Sequence, residues 1–371
     1  MSVPPRFPGI DALKGLACVM IVWHHLAFYG PMSDVVHPFA PALMGWLYDY
    51  GRMAVQVFLV VSGFLAAASL APQGVAVFDS PGRLVLKRYW RLVKPYLVAL
   101  AVSVLVAALV RPWFANPSVP AAPTLLQLLA HVFLLQDVLG QEALSAGVWY
   151  VAIDFQLYAL AVLIFAFARR FQFAQGEGGD AAHATSASAQ LGVSLILLLA
   201  LASLLFFNRL PAFDITALYF CGSYALGMFA FWASHKLGGR RSFWLATMAV
   251  MGALALALDF RGRLVVALVT AFGLVGLCSL QPHAWPVRWL QQRQLVQLGK
   301  MSYSVFLIHF PVCLLVNAVV GYFWRAQLLV NVAGLLLAFV LSLLAGSALY
   351  RWVECRPVLA GQGWFRRIFA S

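Results

Sequence analysis

Asp11, Lys14, His24 and His25 sit in or beside the first long apolar run of the chain, Ile10 to His25. An ionised side chain near the centre of a bilayer costs about 2.5–3.5 kcal/mol even on insertion-derived scales, which makes such groups functional candidates. Lys14 and His25 are eleven residues apart. That spacing returns to within about 20° of one helix face, roughly 16 Å further along the axis. One face of a buried helix then carries a cation near one surface and an imidazole near the other. His24 faces about 100° away from His25 and is the lesser candidate of the two.

Three later segments carry further polar groups. Lys87, Arg88 and Arg91 lie at the start of an apolar run that continues through Pro95. Their spacing of three and four gathers them on one side of a helix start, where free N–H groups already favour an anion. Arginine adds a fork suited to phosphate, although the same cluster serves equally as an orientation signal. Asp154 and Tyr158 follow Trp149-Tyr150, which places Asp154 about 10 Å below the outer surface and His25 about 6 Å below it. A carboxylate–imidazole pair at that depth would fix a tautomer for general-base work, or would simply close the bundle. Ser304, His309 and Pro311 share a third run, with His309 about 12 Å from the inner face and Pro311 kinking the helix just beyond. His309 reads as a satisfied core residue or as part of a site. Glu354 stands at the end of the last run beside Arg351 and Arg356.

The elements that must position these groups are membrane helices. Of 371 residues, 63% are hydrophobic and 10% charged, with mean hydropathy +0.88; soluble domains carry about 25% charged residues. Ten spans of suitable length fall near 10–29, 52–71, 92–110, 147–168, 191–207, 214–234, 243–259, 264–280, 301–323 and 328–350. The segment 124–138, with His131 and Gln136, is too short for an eleventh and reads as re-entrant or interfacial. The first span has no small-residue cleavage site after it, so it reads as a retained helix rather than a signal peptide. With the N-terminus inside, all but six of the 25 Lys and Arg residues fall on inner segments, the exceptions being Arg52, Arg111, Arg209, Arg261, Arg263 and Arg325. Both termini are therefore expected in the cytoplasm. The net charge of +13 reflects this topology and attraction to anionic lipid, not nucleic acid.

The rest of the sequence excludes more than it suggests. Five cysteines, four of them within spans, give no disulfide framework. There is no Walker loop, zinc spacing, dinucleotide fingerprint or nucleophile elbow, so neither a metal nor a bound cofactor is expected. No internal repeat suggests inverted transporter halves. The stretch 171–190 reads as a flexible cytoplasmic loop in an otherwise single domain spanning 1–371, with no appended soluble domain.

In order along the chain, these segments resemble the integral membrane acyltransferases called acyltransferase family 3. Ile10 to Leu16 followed by His25 is similar to the family's first helix, in which arginine precedes histidine by eleven positions. Phe58 to Leu65 resembles its second-span signature, Arg88 and Arg91 its Arg-x-x-Arg pair, and Trp149 to Tyr158 its span carrying Glu, Gln and Tyr. Ser302 to Pro311 resembles the ninth-helix motif, and Val353-Glu354-Cys355-Arg356-Pro357 the closing Glu–Pro element. Lys14 stands where the family has arginine and Asp154 where it has glutamate. The first replacement keeps charge but loses the fork; the second shortens the side chain by one methylene.

The resemblance implies an all-α bundle in a bacterial inner membrane that moves an acyl group, most often acetyl, from cytoplasmic acyl-CoA to a hydroxyl of an extracytoplasmic or lipid-linked glycan. Acyl-CoA is then a co-substrate rather than a cofactor. On this scheme His25 is general base or transient acyl carrier, Asp154 orients it, and Lys14 shares its helix face. Arg88, Arg91 and Lys87 hold the CoA phosphates, while His309 and Ser304 line the donor tunnel; Asp11, Tyr158 and Glu354 are further motif positions. A transporter or flippase for a lipid-linked saccharide or anion is the alternative, since buried Lys, His and Asp serve translocation as readily. A structural subunit of a polysaccharide-export complex is a third. The sequence leaves the oligomeric state open.

Overall fold

The computed structural model describes residues 8–176, 181–235, 239–281 and 283–356, with side chains throughout except over 171–176 and 181–184. Arg6, Lys236, Pro357, Arg366 and Arg367 lie outside the described residues. The described chain is helical, with no strand. Its helices are α1 (Pro8–Phe28), α2 (Met32–Val36), α3 (Pro41–Tyr50), α4 (Val55–Leu70), α5 (Pro81–Val110), α6 (Leu125–Val132) and α7 (Val148–Gly176). They continue with α8 (Ala181–Leu205), α9 (Ala217–Ser234), α10 (Arg241–Leu258), α11 (Gly262–Ser279), α12 (Trp285–Leu290), α13 (Arg293–Phe323) and α14 (Leu328–Leu349).

Among the described residues, ten helical segments are long and apolar enough to cross a membrane. They match the ten expected spans, and several start earlier, the second and third by the most. α3 and α4 join through a short 3-10 turn into one segment from Pro41 to Leu70. α5 starts at Pro81, a residue suited to the first turn because the missing N–H is unneeded there. At 30 residues it is about 45 Å long, against a hydrocarbon core of about 30 Å. Its length therefore exceeds what a span needs, and its first turns carry Lys87, Arg88 and Arg91. α13 continues through Pro311 as one 31-residue helix. α7 and α8 run into the stretch read as a loop, with 177–180 outside the described residues.

Within 124–138 the helix is the eight-residue α6, too short to cross a membrane. Thr124 and Gln127 form a reciprocal capping box. Leu125, Leu126 and Leu129 point outward, while His131 is buried on the opposite face. The His131 Nδ1–H donates to the Gln127 carbonyl at 2.8 Å, and Nε2 accepts from the Leu144 N–H at 3.2 Å. This histidine is neutral and fully engaged in holding the 133–147 segment to α6; burial lowers its proton affinity.

Two close helix crossings organise the bundle: α1 on α13, and α4 on α9. Both are built on glycine. A methyl carbon on Gly15 would lie 2.9 Å from the Gly299 nitrogen, and one on Gly299 would enter the Asp11 carbonyl. Gly63 and Gly227 are packed in the same way against the Tyr224 and Val60 carbonyls. Small residues let backbones approach where lipid offers no hydrophobic gain for association. At the other end of the α1–α13 pair, Asn317 accepts from the Met32 N–H at 3.1 Å and donates to the Tyr29 carbonyl at 3.3 Å. α1 and α13 are thereby pinned at both ends.

Candidate active site

α1 and α13 are the first and ninth spans, so they run in the same direction. Gly15 and Gly299 mark their contact, and His25 and His309 each lie ten residues further on. Equal rise puts the two imidazoles at one depth, about 15 Å from the crossing. They meet there: His25 Nδ1 is 2.7 Å from His309 Nε2, with the rings stacked at 4.8 Å and 12°. His309 is wholly buried, and its Nδ1 lies 2.7 Å from the Phe306 carbonyl.

The protons in this chain follow from the acceptor at its end. A carbonyl only accepts, so His309 Nδ1 carries hydrogen and, in the neutral ring, Nε2 is the acceptor. His25 Nδ1 must then donate, which leaves the lone pair of neutral His25 on Nε2. The pair prepares one basic nitrogen. His25 keeps partial exposure, whereas His24 is buried with its Nδ1 at 3.0 Å from the Leu47 carbonyl. Between the neighbours, His25 is the one with a free edge.

Asp154 does not meet His25. It pairs with Arg88 at 2.5 Å, and the Arg88 guanidinium lies over the Tyr158 ring at 5.1 Å. The reason is lateral placement: α7 packs against α5 and α8, whereas α1 packs against α13. Asp154 is thus the partner of the arginine expected to hold phosphate, and His309 occupies the place beside His25 that was assigned to the carboxylate. His309 consequently does not line the cavity in which a donor tunnel was expected.

That cavity, of about 300 Å³, opens on the side of the bundle where α1 begins. Lys14, Arg88, Arg91 and Lys300 contribute cations to its wall; Asp11, Asp154 and Glu354 contribute carboxylates. Lys14 is bound to Asp11 at 2.7 Å, one turn away. Ser304 is buried behind the wall and donates to Glu354 Oε2 at 2.6 Å. Glu354 is turned inward by a single π-turn, Tyr350–Glu354, which adds one residue to the helical repeat after α14. Arg88 Nε and Asp154 Oδ1 are buried with no hydrogen-bond partner in the protein. Lys87 is exposed and is not part of this wall; it sits about 100° around the helix from Arg88.

Phe58, Tyr150 and Phe306 form the inner end of the cavity, with ring centroids 5.5–6.2 Å apart. The Phe306 ring is 6.0 Å from that of His309. Behind it, Gly147 has φ +79°, and a methyl carbon there would lie 2.6 Å from the Phe306 ring. A side chain at 147 would therefore displace the ring between the cavity and the imidazole pair. Lys300, Tyr150 and Phe306 carry no special spacing. Only the partnership of α13 with α1, hinted at by the matched Gly-to-His intervals, would have located them.

The family model described as an acyltransferase domain matches residues 7–351. No curated protein and no solved structure matches the chain. The motifs of α1, α4, α5, α7 and α13 all fall within the matched region and surround the cavity and the imidazole pair. The chain therefore belongs to membrane acyltransferase family 3.

Proposed function

We propose that this membrane acyltransferase moves an acyl group, acetyl in the simplest case, from cytoplasmic acyl-CoA to a hydroxyl of an extracytoplasmic or lipid-linked glycan in a bacterial inner membrane, with both termini cytoplasmic. The observation that carries this reading is the His25–His309 pair at 2.7 Å, with a cationic cavity on one side of it and partial exposure on the other. The positive side chains of the cavity suit the phosphates of CoA. Its aromatic inner end suits the acyl-pantetheine arm, directed toward Phe306.

His25 Nε2 takes the proton of the acceptor hydroxyl as that oxygen attacks the thioester carbonyl. The tetrahedral intermediate then collapses, the C–S bond breaks, and the CoA sulfur leaves with the proton from His25. The products are an O-acyl ester and CoA. His309 is a positioning residue in this scheme, since it fixes the His25 tautomer without touching substrate. Arg88 is held ready by Asp154, Arg91 stands at the mouth, and Lys14 and Glu354 set the charge of the same wall.

CoA release from acetyl-CoA, assayed with protein in detergent supplied with glycans of the producing cells, tests the reading. Turnover that requires His25 and a donor KM raised by Arg91→Ala support it. Donor binding lost in neither Arg88→Ala nor Arg91→Ala, from folded protein, would overturn the donor assignment.

A further inference from the structure

The positive-inside bias makes an arginine on the opposite side of the bundle worth explaining. Three of the six such arginines, Arg52, Arg261 and Arg263, line one cavity of about 540 Å³. That volume lies within the roughly 300–1,000 Å³ typical of small-molecule sites. Arg261 is structural: its guanidinium donates to Asn208 Oδ1 and to the Leu204 and Ala255 carbonyls, and Asp259 lies 3.4 Å from its Nε. The other two are not consumed in this way. Arg263 gives one hydrogen bond to the Asn208 carbonyl, lies 4.8 Å over the Tyr219 ring, and has a buried Nε with no partner. Arg52 is exposed, with no carboxylate at ion-pair distance among the described residues.

The rest of the wall has a different chemistry. Asp137 and Asp214 face the same space; Asp137 accepts a hydrogen bond from Gln136, and burial pushes its carboxyl up. Trp149 and Tyr219 supply aromatic faces. Carboxylates accept from hydroxyls, aromatic faces pack against the C–H face of a sugar ring, and unengaged guanidinium groups bind carboxylate or phosphate in a forked geometry. A purely apolar or purely cationic ligand would leave part of this set unused.

The cavity wall also reaches α1, although neither His25 nor His309 lines it. Arg52 follows Gly51, where a methyl carbon would lie 2.8 Å from His24 Cβ, one residue from His25. On α7, Trp149 lines this cavity while Tyr150 lines the donor cavity; on α4, Gln56 and Phe58 divide in the same way. The two cavities are back to back on shared turns of two helices.

We propose that this second cavity is the acceptor site and that it selects a saccharide bearing an anionic group, either carboxylate or phosphate, held by Arg52 and Arg263. Its hydroxyls are received by Asp137 and Asp214. The inference rests on the acyl-transfer reading above.

The test offers glycans from the producing cells to protein in detergent with radiolabelled acetyl-CoA. The glycans are separated by anion exchange into neutral and acidic fractions, and the acidic fraction is divided by butanol extraction into lipid-linked and free material. The expected result is label in an acidic fraction, with the extraction step showing which source carries it. Arg52→Gln, whose side chain is exposed, and Arg263→Gln should each raise the acceptor KM at least tenfold. kcat should stay within twofold and the acetyl-CoA KM should not change, with Arg52→Lys recovering part of the loss. Label confined to the neutral fraction, or an unchanged acceptor KM in folded Arg52→Gln and Arg263→Gln, would overturn the anionic selection while leaving acyl transfer intact. No label in any glycan would overturn both.

Discussion

At the residue scale, two buried contacts assign different jobs to groups that the sequence treats alike. The His25–His309 contact carries directionality, because the Phe306 carbonyl dictates which nitrogen of each ring holds a proton. His309→Ala should therefore lower kcat by roughly 10–100-fold, comparable to losing a group that orients a metal-bound histidine, with the acetyl-CoA KM unchanged. A pH–rate profile that moves along with kcat would separate this positioning role from a packing role, which would leave the profile in place. The Arg88–Asp154 pair is an ion pair in a low-dielectric wall, where removing one partner strands the other charge. Arg88→Leu alone should destabilise the protein by about 3–5 kcal/mol, and the Arg88→Leu/Asp154→Leu double variant by much less. Thermal unfolding of the two variants in detergent checks this, and equal losses would contradict it.

At the scale of elements, the crossing of α1 and α13 decides whether the imidazoles meet. The glycines at 15 and 299 face backbone atoms rather than side-chain ends, so no rotamer change relieves an added side chain. Gly299→Leu should cost at least the roughly 1–3 kcal/mol of ordinary overpacking and abolish transfer, measured as a lowered Tm together with lost CoA release. A stable, active variant would refute this role for the crossing. His131 provides a second check on an element. Its neutral ring bridges Gln127 and Leu144, and burial holds its proton affinity below the ordinary value of 6.5. The unfolded chain then binds the extra proton more readily, so this contribution is complete above about pH 6.5 and fades as pH falls below it. Tm should drop between pH 7 and pH 5 in the wild type, and the His131→Leu variant should lose that component of the drop.

At the scale of the whole molecule, hydropathy and charge made the ten spans readable, because each span is a local property of the chain. Depth was readable only in part: counting puts His25 about 6 Å below the outer surface and His309 about 12 Å from the inner one, yet the two imidazoles meet, because α13 begins well before the expected span, at Arg293. Lateral neighbours were not readable. Counting residues puts His25 and Asp154 at similar depth, but nothing local tells α1 to choose α13 over α7. That choice lies in Gly15 and Gly299, whose meaning appears only once the two helices are paired. The same limit hid the far-side cavity, whose walls come from segments as distant as Arg52, Asp137, Asp214 and Arg263. The orientation read from charge makes its own prediction. Cys355, exposed where α14 ends, should resist a membrane-impermeant maleimide in intact spheroplasts and react after permeabilisation, whereas an Ala326→Cys variant should react in both. Labelling of Cys355 from outside would reverse the topology and with it the cytoplasmic origin of the donor.

The most direct measurement of the central claim is acyl transfer from acetyl-CoA by purified protein, comparing wild type with His25→Ala at matched folding and matched donor binding. Loss of transfer by about 10²–10⁴-fold, with acetyl-CoA still bound in the cationic cavity, is the predicted result. Transfer that persists at the wild-type rate in His25→Ala would contradict the account and move the chemistry away from the imidazole pair.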